Sequence, residues 1–207
     1  HQITSGEGGM VVCNNTDDYK ILKSLRSHGW VRDIKTAKKF PNLDPRYIFI
    51  NSGFNLRPTD IQAAIGSSQF DKLETFKKNR ISNRKKIIDS LKNDVRWKNQ
   101  FYFLKVPKDV KPSYMVFPIF LNPNLKHKKK RFINTIEKKG LQTRPIISGS
   151  FVNQPATKLY SLNNNREKFK GANTVEQLGF VIGLHTKKIT LKQIDFIKNT
   201  LLFIDRI

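Results

Sequence analysis

The chain has 207 residues, with 39 Lys and Arg against 16 Asp and Glu, for a formal net charge of +23. That length suffices for one or two domains with real cores, and the lone cysteine excludes an internal disulfide or a thiolate-held cluster, which needs about four. No apolar run approaches the ~20 residues of a membrane span and no signal peptide is visible, so a cytoplasmic protein is expected.

The chain opens H-Q-I-T-S-G-E-G-G-M. Paired glycines ahead of Met10-Val11-Val12 predict a tight turn feeding a strand over Gly9–Cys13, with Cys13 as a small buried side chain. Asn14-Asn15-Thr16-Asp17-Asp18 is a turn and N-cap signal, and Tyr19, Leu22, Leu25 and Arg26 suit a helix of about three turns. It ends near Ser27-His28-Gly29-Trp30-Val31-Arg32. Residues 33–47 are polar and interrupted by Pro41 and Pro45, which predicts a loop. A short strand over Tyr47–Asn51 leads into Gly53-Phe54-Asn55-Leu56-Arg57-Pro58. Apolar residues from Ile61 to Leu91 then recur at the helical period, with Ala63, Ala64 and Gly66 forming a small-residue face for close packing. Domains 1–93 and 94–207 follow, with a soft boundary at Asn93 because no Pro/Gly/Ser linker marks it.

The C-terminal part reads as α+β. Strands are expected over Phe101–Val106 and Tyr114–Leu121, with Pro118 demoting the second towards an edge or a bulge. Lys128–Lys139 reads as a helix closed by Gly140. Leu141–Ile146 reads as a strand entering Ser148-Gly149-Ser150-Phe151. Residues 152–172 are Asn-rich and weakly patterned, as a loop with short helical turns would be. Gly179–His185 is a further strand, and Thr190–Ile207 a terminal amphipathic helix. The lysines are scattered along the chain, and the densest run, Lys126-His127-Lys128-Lys129-Lys130-Arg131, opens a helix. Nucleic-acid binding is therefore not expected, nor is a metal site. The positive surface would help attract an anionic substrate.

Four segments carry a resemblance. His1–Gly9 resembles the K-x-[IL]-[TS]-x-G-E-G-G active-site segment of the DegT/DnrJ/EryC1/StrS family of vitamin-B6-dependent nucleotide-sugar enzymes. L-R-S-H-G-W-V-R, G-F-N-L-R-P and R-P-I-I-S-G resemble later segments of the same family. The resemblance implies the C-terminal portion of a fold-type-I pyridoxal-phosphate enzyme: the end of the large α/β domain plus a small α+β domain. The absence of an initiator methionine before His1 agrees with such a fragment, which would be inactive alone.

In this family the first lysine of the pattern holds pyridoxal phosphate as a Schiff base; here His1 stands in its place. Histidine has no primary amine with which to do so, yet with a pKa of about 6.5 it can still move protons. Within the family that exchange marks sugar 3-dehydratases, which use pyridoxamine phosphate and glutamate to remove a hydroxyl from a 4-keto sugar. The missing cysteines point away from the iron–sulfur branch, towards cluster-free enzymes of GDP-linked 4-keto-6-deoxy sugars. The resemblance implies His1 as catalytic acid/base and Asn55 as a donor to the cofactor phosphate across a homodimer with shared sites. It implies Arg32 and Arg144 as ligands of the glutamate or nucleotide-sugar substrate, for which a guanidinium fork is suited. The plainer readings stand beside these: His1 as merely the first residue, Arg32 as a surface arginine, Arg144 in a structural salt bridge. An aminotransferase of the same family and a non-catalytic relative are the alternative functions.

Overall fold

Asn15 opens the first helix: its Oδ1 accepts from the amides of Asp17 (2.7 Å) and Asp18 (3.2 Å), donors that a first turn cannot satisfy internally. The computed structural model describes residues 2–31, 33–160 and 165–207, and in it α1 spans Thr16–Leu25. After it, β1 (Trp30–Val31) pairs antiparallel with β2 (Ile48–Phe49). Trp30 stiffens this ribbon by stacking on Tyr47 at 5.6 Å and donating Nε1–H to the Arg46 carbonyl at 2.9 Å. Between the two strands the expected loop contains one helical turn, α2 (Ile34–Ala37). Next comes α3 (Asp60–Phe70), whose start is fixed by a reciprocal box between Thr59 and Gln62.

Two expectations for the N-terminal stretch are corrected. Gly9–Cys13 is not a strand, and Met10, Val11 and Val12 are exposed. Cys13 is likewise exposed rather than buried. The physical reason is shared: an apolar run becomes a strand only against a partner, and no described strand pairs with this one.

The chain divides into two compact units, residues 1–72 and 73–207. The second unit opens with α4 (Leu73–Lys92), which sends Asn83, Ile87 and Leu91 into its interior. That unit is built on a four-stranded antiparallel sheet in the order β3-β4-β6-β5. Its strands are β3 (Phe101–Tyr102), β4 (Val116–Leu121), β5 (Thr143–Arg144) and β6 (Gly179–Gly183). Helices α5 (Lys129–Lys138), α6 (Lys170–Leu178) and α7 (Leu191–Leu201) complete it. Phe117, Ile119 and Leu121 from β4 meet Phe132 and Ile136 from α5 in one buried cluster. Phe132 sits edge-on to Phe180 of β6 at 5.9 Å.

Pro118 does not confine β4 to the margin of the sheet, since β4 lies between β3 and β6. The reason it is tolerated is local. β3 pairs only as far as Tyr102, opposite Phe120, so at Pro118 that side of β4 has already been left open. Gly140 closes α5 as expected, with φ +95° and the Leu141 amide bonded back to the Ile136 carbonyl at 3.0 Å. Among the described residues no helix is long and apolar enough to cross a membrane.

Candidate functional site

Two of the four singled-out segments are locked together by their backbones. The His28 amide donates to the Phe54 carbonyl (2.8 Å), the Phe54 amide to Leu25 (2.7 Å), and the Leu56 amide to Arg26 (3.0 Å). Two glycines make this approach possible. A Cβ on Gly29, at φ +82°, would fall 1.6 Å from the Asn51 carbonyl oxygen, and one on Gly53 would fall 2.2 Å from the Gly29 nitrogen. His28 itself takes a left-handed conformation, φ +64°, to make the turn. Behind the lock, the Asn51 side chain donates to Ser24 Oγ at 2.6 Å.

Asn55 emerges from this lock onto the surface, bridged through its backbone to Ser27. Its Oδ1 accepts from Arg57 Nε at 3.2 Å. With Oδ1 so engaged, Nδ2 remains as the amide's donor, beside a guanidinium. A neutral donor next to a positive charge is a combination that suits a phosphate group. Arg57 escaped the sequence reading, although it lies inside the quoted G-F-N-L-R-P segment.

The S-G-E-G-G turn joins the same unit through α3. Gln62 Nε2 donates to the Glu7 carbonyl at 3.0 Å, while Oε1 of the same side chain accepts from the Thr59 amide. Ser5 also donates its hydroxyl to the Glu7 carbonyl, at 3.3 Å. Gln62 thus ties the turn to the helix that follows Asn55. The sequence analysis found this helix from the period of its apolar residues and had no signal for either bond of Gln62. His1 and Arg32, the other site candidates of this part of the chain, lie outside the described residues.

Arg144 belongs to the second unit. It lies in β5 opposite Val181, is exposed, and has no ion-pair partner among the described residues. The turn after it is unusual, because both Ile147 (φ +50°) and Gly149 (φ +66°) are left-handed. Open clefts occur in other parts of the chain. One of about 520 Å³ runs along His127, Arg131 and Lys138, and another of about 290 Å³ lies among Asp33, Phe40, Leu43 and Pro45. In that last region Arg46 holds the carboxyl of Asp44 down to about 2 through their hydrogen bonds at the surface.

The DegT/DnrJ/EryC1/StrS aminotransferase family profile matches residues 1–201. The chain belongs to that family. Among its DegT-family relatives is GDP-4-keto-6-deoxy-D-mannose 3-dehydratase of Escherichia coli O55:H7, 26% identical over 97% of this chain and 52% of that protein. UDP-4-amino-4,6-dideoxy-N-acetyl-beta-L-altrosamine transaminase of Campylobacter jejuni is also 26% identical, over 96% of this chain and 48% of the relative. Among solved structures, an E. coli GDP-4-keto-6-deoxy-D-mannose-3-dehydratase with bound hydrated PLP superposes with a TM-score of 0.79 at 23% identity. That match covers 97% of this chain and 51% of the other, and it fixes the fold as that of the DegT-family sugar enzymes. The chain spans about half the length of the curated relatives it matches.

Proposed function

We propose that this chain is part of a pyridoxamine-phosphate-dependent 3-dehydratase acting on a nucleotide-linked 4-keto-6-deoxyhexose. The observation that carries the reading is His1, standing where the family pattern has its Schiff-base lysine, in register with the S-G-E-G-G turn that Gln62 ties to α3. Residues 1–93 supply the end of the large domain and its connecting helices, and 94–207 the small domain.

The cofactor's phosphate fits what Asn55 and Arg57 offer: an amide donor whose oxygen is already occupied, next to a cation. Asn55 acts there across a homodimer interface, on the partner copy's cofactor. When bound, pyridoxamine phosphate supplies an amine that engages the C4 ketone and an electron sink in its ring. His1 holds and moves the proton, and protonates the departing C3 oxygen so that it leaves as water. An imidazole titrating near neutrality suits both directions of that transfer. Arg32 and Arg144 orient the anionic groups of the nucleotide sugar and of glutamate, the amine donor that restores the cofactor.

The second reading is an aminotransferase of the same family, favoured by the C. jejuni transaminase matching at the same 26% identity. Mass spectrometry separates the two, using the full-length protein with pyridoxamine phosphate, glutamate and GDP-4-keto-6-deoxymannose. Loss of the C3 oxygen with the ketone retained supports the dehydratase; a new amine on the sugar overturns it in favour of transamination.

A further inference from the structure

The turn that follows Arg144 is held in a conformation that its own sequence resists. Ile147 is β-branched yet sits at φ +50°, a region that such residues rarely enter. Its side chain is 86% exposed, so no packing in the chain compensates. Ile146, on the inner side, rests against Gly179 of β6, where any side chain on the glycine would fall 2.6 Å from Ile146 Cδ1.

A side chain of α6 helps to fasten this turn to the fold. Glu176 of α6 accepts from the Ser150 amide at 3.0 Å and from Asn153 Nδ2, both at Oε2. The turn lies directly on the helix at that point, since a Cβ on Gly149 would come within 2.6 Å of Glu176 Cβ. From α5, the half-buried Lys129 donates Nζ–H to the Glu176 carbonyl at 2.6 Å, bracing the same turn of helix. Ser150 is fully buried, and its Oγ, like Asn153 Oδ1, has no hydrogen-bond partner among the described residues. Strain at Ile147 and unpaired polar atoms at Ser150 and Asn153 are together expensive to keep, and a fold retains such features where a presented surface matters.

We propose that Glu176 is a positioning residue that holds the turn Ile146–Ser150 as a substrate-contacting surface continuing from Arg144, with the exposed Ile147 side chain touching an apolar face of the nucleotide sugar. This rests on the nucleotide-sugar reading given above. It does not depend on whether the reaction is dehydration or transamination.

The test is calorimetric binding to the full-length protein, with GDP-mannose, UDP-N-acetylglucosamine and dTDP-glucose as probes and each free nucleoside diphosphate beside them. Ile147→Gly should weaken the tightest-bound nucleotide sugar ~10-fold, the order expected for one apolar contact, while Tm stays unchanged or rises because glycine relieves the strain. Glu176→Ala should weaken binding comparably and speed hydrogen exchange at the Ser150 amide, whereas Glu176→Gln, which keeps an acceptor, should stay near wild type. Equal weakening of the nucleoside diphosphate would assign the contact to the base; weakening confined to the sugar conjugate would assign it to the hexose. Wild-type affinity in both Ile147→Gly and Glu176→Ala overturns the proposal and leaves the turn as scaffolding. Failure of the wild type to bind any of the probes overturns the nucleotide-sugar reading, and this proposal falls with it.

Discussion

Asn83 offers the sharpest single test of how the second unit is held. It is 1% exposed, and it uses both ends of its amide on the segment after β6. Nδ2 donates to the carbonyls of His185 (3.0 Å) and Lys187 (2.8 Å), and Oδ1 accepts from the Ile189 amide (3.0 Å). Three bonds worth about 1 kcal/mol each put the cost of Asn83→Ala at about 3 kcal/mol, with more if the Ile189 amide stays dry and unpaired. Against a typical domain stability of 5–15 kcal/mol that is a large share, and at a urea m-value of about 1–3 kcal/mol/M it displaces the midpoint by ~1–3 M. The neighbouring Asn79 makes one bond to the same segment, to the Thr186 carbonyl at 2.8 Å, so Asn79→Ala should cost only about 1 kcal/mol. Urea unfolding read from Trp97, which packs on the core of this unit, gives the comparison; Trp30 is replaced by Phe to silence the other unit. A loss below about 1 kcal/mol for Asn83→Ala would refute the reasoning, because it would mean that water replaces all three bonds without penalty.

Three further outcomes are expected. Gly29→Ala or Gly53→Ala should abolish the near-UV dichroism of Trp30, because either Cβ would collide with backbone, at 1.6 Å from Asn51 O or 2.2 Å from Gly29 N; an unchanged spectrum would show that the lock is looser than drawn. Hydrogen bonds from Arg96, with Lys198 adding its charge, hold the carboxyl of Asp94 far below the usual carboxylate range. A depressed folded pKa stabilises above the unfolded value of about 3.9 and the contribution fades as pH falls below it, so Asp94→Asn should lower Tm at pH 7 and flatten the loss of Tm between pH 5 and 2. Finally, Arg57→Ala should weaken binding of pyridoxamine phosphate to the full-length protein about tenfold by freeing the Asn55 amide, with Asn55→Ala at least as damaging; calorimetry that finds both at wild-type affinity would remove these residues from the phosphate site.

The elements that could be read from the sequence were those that carry their own punctuation. α1 has Asn15 and α5 has Gly140, each a bond or a backbone angle that neighbouring residues decide among themselves, while α7 was legible from its amphipathic pattern. Gly9–Cys13 failed as a strand because a strand is decided by a partner, which no local pattern specifies. The pairing role of β4 was obscured by Pro118 for the same reason, since what mattered was where β3 stops. Of the candidate site residues, Asn55 was legible as part of a motif, whereas Arg57, which bonds to its side-chain oxygen, was not. Glu176 gave no signal at all, because its bonds join α6 to a turn more than twenty residues away, and only the fold brings the two together. Family membership was legible from four short segments, and the structure explains part of why they travel together: two share a backbone lock and a third is tied to the adjoining helix.

The place of β6 in the sheet has a consequence for synthesis on the ribosome. Both β4 and β5 pair with β6, which is made after every other described strand. At about 5–20 residues per second, the stretch from Leu121 to Gly179 takes on the order of several seconds to emerge. Throughout that interval Phe117, Ile119 and Leu121 have no second strand to close over them, and only the short β3 to lean on. Nascent chains of this protein therefore pass through a window in which their most apolar strand is complete but unsheltered. Slow codons between those two points would lengthen the window, and a chaperone engaging the chain there would meet it at its most vulnerable.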